Sequence, residues 1–260
     1  MYKRQTEERM RTMKYKFSDI TASYTTEKRR NTSLWARIFS RPLSFITAYI
    51  FANLGFSANA VSILSLLEAF VACAFIMIGG KYTLVGIILF LLWDVLDCTD
   101  GNIARLTHTS SPVGVFFDAA AGYAAVAFIY LSVGVEAYRT SDMFGQNGYV
   151  FIIIGAASSI LDLLARIVYQ KYTVTEYVTG NAALNGTVAE KLTQGGAYHF
   201  ALQVMKNLTY SCLFMPLLVL AYIFNRFDIL ILFYACYSLA FYVGSTCFLL
   251  IKASKLKVNE

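Results

Sequence analysis

Residues 83–104 read TLVGIILFLLWDVLDCTDGNIA, and this stretch decides the fold. An almost uninterrupted apolar run leads to Trp93, after which Asp94, Asp97 and Asp100 follow at intervals of three with no basic residue between them. About 20 residues at 1.5 Å each is the length a helix needs to cross the roughly 30 Å of a bilayer's hydrocarbon. A carboxylate at membrane depth costs about 2.5 to 3.5 kcal/mol on insertion scales, a cost that cations, hydrogen bonds or water must offset. The stretch therefore reads as a membrane helix carrying a functional site at one end.

The sequence on either side has the same character. With 57% hydrophobic residues and a mean hydropathy of +0.55, the chain is too apolar for an ordinary soluble domain of its length. Runs of spanning length fall near 59–79, 83–104, 112–136, 148–170, 207–225 and 228–251. The expected fold is an all-α integral membrane protein with six transmembrane helices. Residues 1–32 are a polar cytosolic arm. Residues 33–56 mix aromatic side chains with Arg37 and Arg41 before Pro42, the composition of an interfacial amphipathic helix, and end in a turn at Asn53–Asn59 where Ser57 or Asn59 could cap the next helix. Residues 57–252 form the six-helix membrane domain and 253–260 a cytosolic tail. Residues 171–206 hold no apolar run of 18 and read as a loop large enough to cover a site.

Lys and Arg accumulate in cytoplasmic loops. Of the 22 in the chain, eleven fall in residues 1–41, and Arg105, Lys171, Lys191, Lys206, Lys252, Lys255 and Lys257 fall on the same side of a six-crossing plan. Lys81, Arg139 and Arg226 fall opposite. Both termini are thus expected in the cytoplasm, with the aspartates toward the cytoplasmic ends of their helices and the active site facing the cytosol. The net charge of +6 is accounted for by topology and by attraction to anionic membrane lipids, so nucleic acid is not an expected partner. Cys73, Cys98, Cys212, Cys236 and Cys247 stand singly and are expected to be small buried hydrophobes. The N-terminus lacks the apolar core and cleavage site of a signal peptide.

Residues three and four apart share a helix face. Asp97, Asp100 or Gly101, and Ala104 therefore form one stripe, and Gly114, Asp118 and Gly122 form another on the next helix. If the stripes face each other, carboxylates meet across a gap lined by residues with almost no side chain. Oxygen ligands of this kind suit Mg2+ or Mn2+, which commonly also bind substrate phosphates. The spacing leaves two readings open: an enzyme of phosphoryl transfer, or a transporter whose carboxylates line an ion path while the small residues pack helices.

The same run resembles the signature of the CDP-alcohol phosphotransferase family, Asp-x2-Asp-Gly-x2-Ala-Arg-x8-Gly-x3-Asp-x3-Asp. Asp97, Asp100, Gly101, Ala104, Arg105, Gly114 and Asp118 match at the family's intervals, seven of its eight defined positions. The resemblance implies an enzyme that cleaves the diphosphate of a CDP-alcohol donor, passes the phosphoryl-alcohol to the hydroxyl of a lipid or glycan acceptor, and releases CMP. It further implies that Asp97, Asp100 and Asp118 ligate Mg2+ or Mn2+. Gly101, Ala104 and Gly114 would make room for the cytidine nucleotide, with Asp100 and Arg105 near it, and the protein would be a homodimer.

The eighth position, an aspartate in the family and its proposed general base, is Gly122 here. Three candidates for the catalytic proton transfer remain: Asp118 within the motif, Asp94 one turn before Asp97, and His108 in the loop between the motif helices. A CDP-binding pseudoenzyme that has lost transfer is the competing account. Asp162 and Arg166 have the spacing of an intrahelical ion pair, with a phosphate contact as the other use of Arg166. Lys171 is expected to snorkel, and His199 is a further, weaker proton carrier. The alcohol and the acceptor are not readable from the chain.

Overall fold

The structure, a computed structural model, describes residues 14–24, 32–179, 212–254 and 256. Helices α1 (Phe17–Ala22), α2 (Arg41–Asn53), α3 (Ala58–Ile78), α4 (Lys81–Thr107), α5 (Pro112–Thr140), α6 (Val150–Val178), α7 (Phe214–Ile223) and α8 (Phe227–Ala253) make up the described chain, with a π-helical turn at Ala36–Ser40 and a 3-10 turn at Gly145–Asn147. No strand occurs among the described residues.

Among the described residues five helical segments are long and apolar enough to cross a membrane: α3, α4, α5, Gly145–Val178 and α8. The sixth expected span, 207–225, appears among the described residues as the ten-residue α7. Ten residues of helix rise about 15 Å, half the hydrocarbon thickness, and residues 207–211 lie outside the described residues. The expected loop at 171–206 also begins later, because α6 continues to Val178. Nothing in Lys171–Val178 breaks a helix, and the first glycine after Lys171 is Gly180. The rest of that loop, with Lys191, His199 and Lys206, lies outside the described residues, as do Lys255 and Lys257.

The chain divides into two compact units, one of residues 1–72 and 85–124 and the other of 73–84 and 125–260. In the first, a core of Ile20, Ala48, Ala52, Ala58, Val61, Leu96 and Ile103 ties α1 and α2 to α3 and to α4, the first helix of the motif. Part of the N-terminal arm is thus docked: Ile20 is fully buried, and the Asn53 side chain accepts from the Tyr15 N–H at 3.1 Å while donating to the Tyr15 carbonyl at 3.2 Å. α2 with its two flanking residues is small and buried along Ser40, Ser44, Ala48 and Ala52, and large and exposed along Leu43, Ile46, Ile50 and Leu54. Spacings of three and four keep each set on one face.

Local chemistry places each boundary. α2 stops at Gly55, whose φ of +85° suits glycine, and the Phe56 N–H closes on the Phe51 carbonyl at 2.9 Å. Ser57, of the two residues expected to cap, accepts from the Ala60 N–H at 3.2 Å and starts α3. His108 stops α4 in the left-handed region at φ +53°, with the Thr109 N–H reaching back to the Ala104 carbonyl at 3.0 Å, the Schellman pattern. Ser111 then caps α5 by accepting from the Gly114 N–H at 3.1 Å, and Pro112 takes the first helical position.

In the second unit α8 packs along α6. Tyr130, Phe214 and Tyr234 form an aromatic cluster with centroids 4.9 to 5.6 Å apart. α5 and α6 meet backbone to backbone: a Cβ on Gly134 would stand 2.4 Å from the Phe151 carbonyl oxygen, and one on Gly155 2.5 Å from that of Tyr130. The expected Asp162–Arg166 pair is present at 2.8 Å, with the Tyr130 hydroxyl donating to the same carboxylate at 3.2 Å. Glu136 pairs with Arg139 at 3.1 Å, and Asp228 with Arg226 at 3.0 Å. Cys73, Cys98 and Cys212 are buried as expected; Cys236 and Cys247 are exposed instead, on an apolar helix whose outer face needs no polar side chains if it meets lipid.

Candidate active site

The motif helices bring their small and acidic residues to one place. α4 presents Asp97, Asp100, Gly101 and Ala104 at intervals of three and four. The chain reverses through Thr109–Ser111, and α5 presents Gly114 and Asp118 four residues apart. All these residues, with Arg105, line a single cavity of about 280 Å³ within the first unit. The two expected stripes therefore share one cavity. The rest of its wall comes from Arg41 of α2, Ala58, Asn59 and Ser62 of α3, Cys98, Val115 and the 109–111 turn.

Two of the aspartates of α4, Asp94 and Asp100, accept hydrogen bonds from neutral donors. Asp100, 5% exposed, accepts from the Ser62 hydroxyl. Asp94, 3% exposed, accepts from the Ser40 hydroxyl and from the Trp35 indole N–H at 3.1 Å, which offsets its burial. Asp94 is not among the residues lining the cavity, nor are Gly122 and His108. His108 is exposed and serves as the helix stop described above. Of the three residues considered for proton transfer, Asp118 alone reaches the cavity wall.

The glycines hold space open. A Cβ on Gly114 would meet Asn59 Oδ1 at 3.0 Å, and one on Gly101 would meet Arg105 Nη1 at 3.2 Å. Arg105 donates to Asn102 Oδ1 at 2.6 Å. Its Nε, like that of Arg41, is buried without a hydrogen-bond partner.

The donor set suits a hard divalent cation in kind, since three carboxylates line one cavity with hydroxyl and amide oxygens beside them. Among the described residues no three His, Cys, Asp or Glu side chains converge as a ready-made ligand group. Drawing Asp97, Asp100 and Asp118 onto one ion therefore requires side-chain movement.

Sequence reasoning did not pick out Arg41, Ser62 or the 109–111 turn as site residues, and it read Asn59 only as a possible cap. A signal existed for two of them. Asn59 and Ser62 are three apart in an otherwise apolar span, so they share a face. Arg41 had none, because arginines at a membrane surface are common.

The model of the CDP-alcohol phosphatidyltransferase family matches residues 56–224, more than half of the chain. No curated protein and no solved structure matches it. The family match begins beyond α2, so Arg41 stands outside it.

Proposed function

Because the chain belongs to the CDP-alcohol phosphatidyltransferase family, we propose that it is a membrane enzyme that transfers a phosphoryl-alcohol group from a CDP-linked donor to an acceptor hydroxyl with release of CMP. The product is a phospholipid or a phosphodiester-linked glycoconjugate. The observation that carries this reading is the shared cavity of Asp97, Asp100, Gly101, Ala104, Arg105, Gly114 and Asp118.

Asp97, Asp100 and Asp118 would hold Mg2+ or Mn2+, whose charge would neutralise the diphosphate oxygens as the bond to CMP breaks. Gly101, Ala104 and Gly114 admit the nucleotide close to the helix backbones. The guanidinium of Arg105 faces phosphate, for which its planar fork is suited. The acceptor oxygen attacks phosphorus, the phosphorus–oxygen bond to CMP breaks, and the acceptor's proton passes to the Asp118 carboxylate. Asp118 takes that role over Asp94, whose carboxylate is engaged by Ser40 and Trp35, and over exposed His108.

The remaining architecture follows from the same reading. The outer face of α2, with Leu43, Ile46, Ile50 and Leu54, lies among lipid headgroups as an interfacial helix. Residues 207–225 complete a sixth crossing, both termini are cytoplasmic and the cavity opens to the cytosol. The protein assembles as a homodimer. Gly122 favours one competing account, a CDP-binding pseudoenzyme, because the family's base is missing there.

The deciding experiment incubates the purified full-length chain with a panel of CDP-alcohols and acceptors, with Mg2+, Mn2+ or EDTA, and measures CMP. Metal-dependent CMP release supports the enzyme. CDP binding without release under any acceptor condition favours the pseudoenzyme, and absence of both sinks the nucleotide reading.

A further inference from the structure

Two arginines share the cavity wall with the aspartates, yet neither forms an ion pair with them. The ion pairs found among the described residues involve Arg139, Arg166 and Arg226. Arg41 and Arg105 each keep a buried Nε without a hydrogen-bond partner. A buried guanidinium N–H without an acceptor is costly. Two such N–H groups in one wall, on arginines that form no ion pair with the aspartates, leave donors for an anion that enters the cavity.

The placement of Arg41 is specified by its neighbours. It follows Ser40, which the π-helical turn sets against Asp94. The Tyr24 ring lies under its guanidinium at 5.3 Å, an arrangement that orients a cation without neutralising it. Its carbonyl accepts from the Ser44 hydroxyl at 2.8 Å. Ser44 in turn accepts from Asn102 at 2.9 Å, and Asn102 accepts from Arg105 at 2.6 Å. One hydrogen-bond chain therefore fixes the Arg41 backbone relative to the Arg105 side chain.

We infer that Arg41 is a phosphate-binding residue of this cavity, forming with Arg105 a two-guanidinium clamp on the diphosphate of the CDP-linked donor. The identity of the anion rests on the function proposed above; the clamp itself rests on the arginines. Because Tyr24 belongs to the N-terminal segment that docks through Ile20, donor affinity depends on a part of the chain that lies before the family match. Tyr24 is a positioning residue, acting through Arg41.

The test uses the full-length protein in micelles with fixed Mg2+ and measures binding of CDP, cytidine and inorganic pyrophosphate by calorimetry. Arg41→Gln should weaken CDP and pyrophosphate by about tenfold or more, the scale of one charge-assisted hydrogen bond, and leave cytidine unchanged. Arg41→Lys should recover part of the loss, and Tyr24→Leu should show a smaller loss of the same pattern. Equal CDP binding by wild type and Arg41→Gln overturns the clamp while leaving the CDP-alcohol reading intact. Arg41-dependent pyrophosphate binding with no gain from the cytidine moiety keeps the clamp and overturns that reading, and failure of wild type to bind either ligand overturns both. A readout on wild type alone removes any dependence on variant folding: CDP and pyrophosphate, but not cytidine, should shield Arg41 from phenylglyoxal, followed by mass spectrometry. Equal modification of Arg41 with and without CDP overturns the clamp.

Discussion

The two units of this chain treat buried carboxylates in opposite ways. In the second unit Glu136, Asp162 and Asp228 each pair with an arginine two to four residues away in sequence, at 2.8 to 3.1 Å. In the first unit Asp94, Asp97 and Asp100 form no ion pair among the described residues, although Arg41 and Arg105 line the same cavity as two of them. Asp94 and Asp100 receive hydroxyl and indole hydrogen bonds instead. A carboxylate neutralised by its own helix is finished chemistry, because its burial is offset and its acceptors are used. One held only by neutral donors is not offset by a protein cation and stays available to a ligand, as do arginines kept apart from it.

The largest effect that would sharpen this contrast is on turnover. Asp97→Ala should lower metal-dependent CMP release on the order of a thousandfold, several kcal/mol of lost transition-state stabilisation, while thermal unfolding in micelles stays near wild type. A variant that unfolds early in proportion to its lost activity would place Asp97 with the structural carboxylates and break the contrast.

In the second unit the order of effects should reverse. Asp162→Ala removes the carboxylate that the Arg166 guanidinium and the Tyr130 hydroxyl share. The expected cost is about 3 kcal/mol, the low end for a broken buried pair because Arg166 keeps 27% of its side-chain exposure. The double variant Asp162→Leu, Arg166→Met should recover most of that loss, since removing both charges also removes the desolvation cost. Denaturant unfolding in micelles measures both. A double variant no more stable than the single one would mean that Asp162 is doing more than neutralising its neighbour.

Glycines divide along the same line, with smaller effects. A Cβ at Gly134 would strike the Phe151 carbonyl, a backbone atom 2.4 Å away, whereas one at Gly114 would meet Asn59 Oδ1, a movable side-chain atom, at 3.0 Å. Gly134→Ala should therefore destabilise by about 1 to 3 kcal/mol with CDP affinity of the folded fraction unchanged. Gly114→Ala should leave the unfolding midpoint in place and weaken CDP binding several-fold, roughly 1 kcal/mol. Calorimetry and thermal unfolding on both variants check the pair, and matching profiles for the two would erase the distinction.

The fold was legible in sequence wherever a single helix carried its own signal. Apolar length placed α3, α4, α5 and α8, the spacing of Asp162 and Arg166 gave their pair, and the Asn53–Asn59 turn signals gave the Gly55 stop and the Ser57 cap. What failed was what only neighbours determine. Cys236 and Cys247 look like core residues by type, yet they occupy an outer face. Within the site, the motif's regular spacing brought Asp97, Asp100, Gly101, Ala104, Gly114 and Asp118 to mind together. Arg41 and Ser62 reach the same cavity from other helices, and no periodicity along one helix encodes a contact between two. Asp94 fits the stripe by spacing, but Ser40 and Trp35, more than fifty residues earlier, occupy its carboxylate.

The smallest expected effect bears on the position where this chain departs from its family. Gly122 lies one turn beyond Asp118 on α5, so a carboxylate installed there extends the acidic stripe along the same face. Gly122→Asp places a fourth carboxylate one turn beyond the wall of a cavity whose three carboxylates do not converge as placed. It should tighten Mn2+ binding a few-fold, less than 1.4 kcal/mol or about one factor of ten. The gain is limited because a further negative charge near Asp118 repels the others until the ion arrives. Mn2+ titration of both proteins by calorimetry measures it, alongside CMP release with the same acceptor panel. If Asp118 already takes the acceptor's proton, turnover should rise no more than metal occupancy does. A rise far beyond the change in occupancy would show that the wild-type cavity lacks a working base, and the carboxylates that line it would then be a binding site rather than a catalytic one.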